Sequence, residues 1–166
     1  LTADNIGLDE HLSAGTATPY AVLVPGCSKA KPQKRWPAEN FAAVANDLLE
    51  RGVAVFVVGT AEDHEAVDCV VEAAPEIINL CGKTNLPRLA RLLRGASFVV
   101  GNDTGPVFLA ATMGTPTLMV MGPDTDPSMS APIGIATGWL RATPISGITV
   151  AAALNSLYDL GNGLKS

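Results

Sequence analysis

Short runs of uninterrupted apolar residues alternate along this chain with longer stretches in which apolar positions recur every three or four residues. Ala21-Val22-Leu23-Val24 is such a run, stopped by Pro25-Gly26, and predicts a buried strand. From Ala38 to Arg51 the apolar residues Phe41, Val44, Ala45, Leu48 and Leu49 fall on one helical face, and Gly52 ends the segment. The alternation continues with a strand over 53–58, a helix over 62–73, a strand over 77–80 and a helix over 86–94. A strand over 97–101, a helix running from Pro106 to Met113 and a strand over 117–121 follow. The stretch 122–147, with Pro123, Pro127, Pro132 and Pro144, reads as loose, and a helix over 150–160 closes the pattern. Residues 1–19 read as a linker or edge segment, 20–160 as one domain and 161–166 as a tail.

Strands apolar along their whole length belong in a parallel sheet covered on both faces. Five of them interleaved with helices predict an α/β, doubly wound, Rossmann-like domain, whose ligands bind beyond the carboxyl ends of the strands. The chain has 166 residues, 48% of them hydrophobic and only 5% aromatic, so the core should be aliphatic. A net charge of −5 speaks against a nucleic-acid partner. Cys27, Cys69 and Cys81 show no disulfide or metal spacing, so they are expected to be buried thiols in a cytoplasmic protein. No run reaches membrane-spanning length and no leader is visible, while Leu1 in place of Met suggests a fragment.

Candidate chemistry gathers in loops that follow strands. Asp103-Thr104-Gly105-Pro106 stands between a strand and a helix, with Thr104 suited to N-cap the helix and Pro106 to its first turn. A helix start beside a glycine offers free N–H groups and a positive dipole end to a phosphate. The loop after the first strand places four of the chain's eleven cations, Lys29, Lys31, Lys34 and Arg35, within seven residues. Such a cluster is either a solvated loop or a field focused on an anion; Trp36-Pro37, able to brace the loop, favours the second. Glu62 after the second strand is suited to ribose hydroxyls or to capping the helix it begins, and Asp63 competes for that role. Asp103 would repel a phosphate unless paired with Lys34 or Arg35, or turned to a sugar hydroxyl. Gly82-Lys83-Thr84 adds a cation at the same edge. Glycine fingerprints for dinucleotides, P-loops, metal-binding HExxH and nucleophile elbows are all missing.

Lys34-Arg35-Trp36-Pro37, Asn79-Leu80-Cys81-Gly82-Lys83-Thr84 and Asn102-Asp103-Thr104-Gly105-Pro106, in this order and spacing, resemble the ADP-heptose:lipopolysaccharide heptosyltransferases of glycosyltransferase family 9. The resemblance covers about residues 20–125, including Gly122-Pro123, and is poor over 126–148. It implies one half, the C-terminal donor-binding half, of a two-domain GT-B glycosyltransferase. By that resemblance Lys34 and Arg35 lie near the phosphates of an ADP-linked sugar and Glu62 near the ribose. Thr104, Gly105 and Pro106 form the diphosphate turn, and Asp103 organises it. The reaction implied is inverting transfer without a metal or other cofactor. Its catalytic base and its glycolipid acceptor belong to the absent N-terminal half, at the inner face of the cytoplasmic membrane. Gly105-Pro106 is followed by Val107-Phe108 where the family has Met-His, which removes an imidazole. That change keeps two other readings open: a non-catalytic nucleotide-sugar-binding domain, or half of another GT-B nucleotide-sugar enzyme such as an epimerase.

Overall fold

The computed structural model describes residues 18–28 and 30–163, so most of the linker, Lys29 and the last three residues lie outside it. Strands β1 (Tyr20–Val24), β2 (Ala54–Val57), β3 (Ile78–Asn79), β4 (Phe98–Asn102), β5 (Thr117–Met121) and β6 (Thr137–Arg141) form one sheet. All its pairings are parallel and its order is β3-β2-β1-β4-β5-β6. Helices α1 (Ala38–Glu50), α2 (His64–Ala73), α3 (Leu86–Gly95), α4 (Gly105–Thr112), α5 (Pro127–Ser130) and α6 (Val150–Gly163) connect and cover them.

Alternate residues of each central strand feed two separate cores. Ala21, Leu23, Val55, Val57, Val100, Leu118 and Val120 pack on one face with residues of α1, α2 and α6. Val22, Val24, Phe56, Val58, Val99, Met119 and Met121 pack on the other with α3 and α4. Burial on both faces explains why these strands are apolar at every position. Fully buried leucines such as Leu23, Leu48, Leu93 and Leu118 each contribute about 1.5–3 kcal/mol of transfer free energy.

Three expectations need correcting. The stretch 122–147 is not loose throughout, since it contains α5 and a sixth strand, β6, whose Trp139 pairs in register with Met119. As an edge strand, Thr-Gly-Trp-Leu-Arg is only partly covered, so it lacks the apolar run that marks the central strands. The last helix also runs to Gly163, into the segment read as a tail. The element expected to start at Glu62 begins as a 3₁₀ turn over Ala61–Asp63 before α2 takes over.

Gly101 lets α4 lie close against the sheet. A Cβ there would fall 2.6 Å from Val107 Cγ2, 2.7 Å from Val24 Cβ and 2.9 Å from the Val24 carbonyl oxygen. Overpacking of this kind costs about 1–3 kcal/mol. Gly101→Ala is therefore expected to lower stability by that amount in urea unfolding; an unchanged midpoint would contradict the close approach.

Candidate functional site

β1 and β4 lie side by side, Val24 in register with Gly101, although the chain visits two other strands between them. At this point the strand order reverses direction, so the loops leaving β1 and β4 diverge from adjacent strand ends and open a crevice. The two segments singled out by their sequences are those loops.

Asn102, the last residue of β4, is wholly buried and bridges both ends of the β1 loop. Its Nδ2 donates to the Pro25 carbonyl at 2.8 Å, and its Oδ1 accepts from the Trp36 N–H at 3.0 Å. Trp36 is itself buried, donates from Nε1 to the Ile148 carbonyl at 2.9 Å and packs edge-on against Phe41. Gln33 in the same loop donates to Asp124, and Gly122 leaves room for the Gln33 carbonyl, which a Cβ would meet at 2.6 Å.

These anchors place Lys34 against the β4–α4 turn. Its Nζ donates to Asp103 Oδ2 at 2.6 Å, with side-chain exposures of 15% and 11%. Thr125 Oγ1 donates to the same oxygen at 3.0 Å. Asp103 thus pairs with Lys34 rather than Arg35. Arg35 turns away: its Nη2 donates to the Cys27 carbonyl at 3.0 Å, and it borders a small pocket with Glu65 and Cys69.

Thr104 occupies the N-cap position of α4, but its side chain makes no capping bond and instead lies 3.4 Å from the Asn102 carbonyl. The expectation of a Thr104 side-chain cap is corrected: its hydroxyl is drawn back toward the strand end. Pro106 has no N–H, and the Val107 N–H is taken by the Thr104 carbonyl at 3.1 Å. The N–H groups of Thr104 and Gly105 are left without a partner among the described residues. A Cβ on Gly105 would meet nothing within 4 Å, so open space faces this helix start.

Across the crevice, Thr60 and Asp63 close a capping box. Asp63 Oδ2 accepts from the Thr60 N–H at 2.8 Å and from its hydroxyl at 2.9 Å, and the carboxylate also lies over Gly26. Both Glu62 and Asp63 line the cleft; Asp63 is occupied in that way, whereas Glu62 is exposed. The cleft has a volume of about 500 Å³ and is walled by Gly26 and Cys27 after β1, Glu62 after β2, Thr84 and Leu89 after β3, and Thr104 and Pro106 after β4. Glu62, Thr104 and Pro106 therefore share one cavity, with Gly105 at its helix start and the Lys34–Asp103 pair beside Thr104. Lys34, Arg35, Asp103 and Gly105 do not line it. Phe108 is partly buried against the core of the α3 and α4 face.

Asn102 appeared in the sequence only as the start of a motif, and Thr125 and Arg141 lay in the stretch read as loose. Arg141 Nε donates to the Thr125 carbonyl at 2.9 Å and its Nη2 to the Pro123 carbonyl at 2.8 Å. Among the described residues, no cluster of three His, Cys, Asp or Glu side chains is placed to hold a metal ion, and no helix is long and apolar enough to cross a membrane.

The fold and crevice define a Rossmann-like half of the GT-B type, with a cleft at its switch point that faces a helix start. A sequence profile of glycosyltransferase family 9 (heptosyltransferase) matches residues 3–145, and the chain belongs to that family. It is 36% identical over 107 residues to lipooligosaccharide heptosyltransferase 2 of Haemophilus influenzae, a match covering 61% of this chain and 31% of that protein. The structure of E. coli ADP-heptose LPS heptosyltransferase II is similar with a TM-score of 0.84 at 24% identity, over 100% of this chain and 54% of that one. E. coli heptosyltransferase WaaC with ADP is similar with a TM-score of 0.77 at 27% identity, over 91% of this chain and 48% of that one. This chain thus spans about a third of the curated relative and about half of each solved one.

Of the three cysteines, Cys27 and Cys81 are buried, while Cys69 on α2 is exposed, contrary to expectation. Burial pushes the Cys27 and Cys81 thiols up, the Cys27 shift opposed by Arg35 and the Cys81 shift reinforced by Asp63. A thiol reagent at neutral pH should modify Cys69 first and Cys27 and Cys81 more slowly; equally rapid loss of all three thiols would contradict this burial.

Proposed function

We propose that this chain is the donor-binding half of an inverting glycosyltransferase that moves a heptose from an ADP-linked donor to a lipopolysaccharide core or a related glycan. The observation that carries this reading is the meeting of the Lys34–Asp103 pair with the uncapped start of α4. Breaking a glycosidic bond to a nucleoside diphosphate leaves negative charge on the departing phosphates. A preorganised ammonium and oriented N–H groups stabilise that charge as it develops, with no metal required. In this reading the free N–H groups of Thr104 and Gly105 receive the diphosphate and Lys34 supplies the cation. Glu62, across the cavity, accepts from the ribose hydroxyls. The cavity volume suits a nucleotide-sized ligand. Family membership and the similarity to a solved relative with ADP support the choice of nucleotide.

The base and the glycolipid acceptor pocket belong to the other half. The intact enzyme then works at the inner membrane face. Phe108, packed on the core where an imidazole is expected, favours a second reading, a nucleotide-sugar-binding half without transfer. Donor binding by the intact protein with no transfer to any glycolipid would decide for it.

Calorimetry with ADP, UDP and GDP tests the first reading, which expects ADP to bind best and Lys34→Ala to weaken it about tenfold or more. Gly105→Ala separates binding from folding. It fills open space, so the melting temperature should hold while the added methyl crowds the phosphates and lowers ADP affinity. Failure of every nucleotide to bind at millimolar concentration would overturn the reading.

A further inference from the structure

We propose that Thr125 is a positioning residue for the diphosphate site, held in place from the sheet edge by Arg141. The proposal rests on the reading of the β4–α4 turn as that site. A carboxylate beside a phosphate-binding turn is unfavourable unless its charge is neutralised locally. Asp103 stands next to Thr104, and its Oδ2 receives two donors, Lys34 Nζ at 2.6 Å and Thr125 Oγ1 at 3.0 Å.

The hydroxyl has two effects. It draws off part of the carboxylate charge, leaving more of the Lys34 field for a neighbouring anion. It also fixes the orientation of Oδ2, and with it the direction in which Lys34 is held. Without this donor, Asp103 would pull harder on Lys34 and present more uncompensated negative charge to the diphosphate.

Thr125 is built into its position. It is 2% exposed, one of the few buried polar residues of the chain. Its N–H bonds to the Gly122 carbonyl at 3.3 Å, and its carbonyl accepts from Arg141 Nε at 2.9 Å. Arg141 grips the same loop a second time through the Pro123 carbonyl, and Asp124 accepts from Gln33 of the β1 loop. The loop after β5 is thereby tied both to the lysine loop and to the edge strand, with its buried hydroxyl directed at Asp103. This assigns a role to a strand and a loop that carry no cleft-lining residue of their own.

Calorimetry on this chain with ADP and with adenosine, which lacks the phosphates, tests the proposal. Thr125→Val should weaken ADP about fivefold, less than the full worth of a hydrogen bond to a charged group because the effect passes through Asp103, and leave adenosine affinity unchanged. Thr125→Ser should restore ADP affinity, and Arg141→Ala should reproduce the selective loss. A Thr125→Val chain that binds ADP normally while Lys34→Ala does not would overturn the proposal and leave the diphosphate reading standing. Equal loss of ADP and adenosine would show a merely structural residue and overturn it too. A native chain that binds ADP no better than adenosine would overturn both.

Discussion

Asn102 has no contact with solvent, yet it carries an amide with a donor and an acceptor that must both be satisfied. They are satisfied by the two ends of one loop, the Pro25 carbonyl and the Trp36 N–H. Removing that amide would strand two buried backbone groups, at a cost of about 1–3 kcal/mol for each. The same residue ends β4, so the β1 loop is fastened directly to the strand that leads into the Asp103–Pro106 turn. The fastening brings the loop alongside that turn, where the Lys34 ammonium reaches Asp103.

The sheet order makes such a fastening possible. β1 and β4 are neighbours, and the strands on their far sides run outward in opposite directions along the sheet. Loops from the two strand ends flank one crevice, whatever their separation in the chain, and Asn102 ties the β1 loop to the end of β4. Electrostatics then acts locally: an acidic chain of net charge −5 presents the Lys34 ammonium and a helix start at this point, with the adjoining carboxylate held by two donors. On the proposed reading, a negative protein keeps an anion site in this way without a broadly basic surface.

Much of this organisation was legible in the residues. Strands buried on both faces announce themselves as apolar runs, and Pro25-Gly26, Gly52 and Pro106 punctuate them where the structure turns. β6 was not legible, because an edge strand containing Gly138 and Arg141 has no such run. Within the site, the two loops stood out, but the choice between Lys34 and Arg35 as partner of Asp103 did not. It depends on Trp36 being drawn inward, which separates the two neighbouring side chains. Nor was it legible that Asp63 would be engaged by Thr60 in a capping box while Glu62 stays exposed. Thr125 escaped notice because its contribution comes through Asp103, a contact that only the folded sheet creates.

The most direct measurement is a crystal structure of the chain with ADP bound. The account expects phosphate oxygens within hydrogen-bond reach of the Thr104 and Gly105 N–H groups, Lys34 close by and still paired with Asp103, and the ribose turned toward Glu62. A nucleotide seated elsewhere, or one in the cleft with its phosphates directed away from the start of α4, would contradict it.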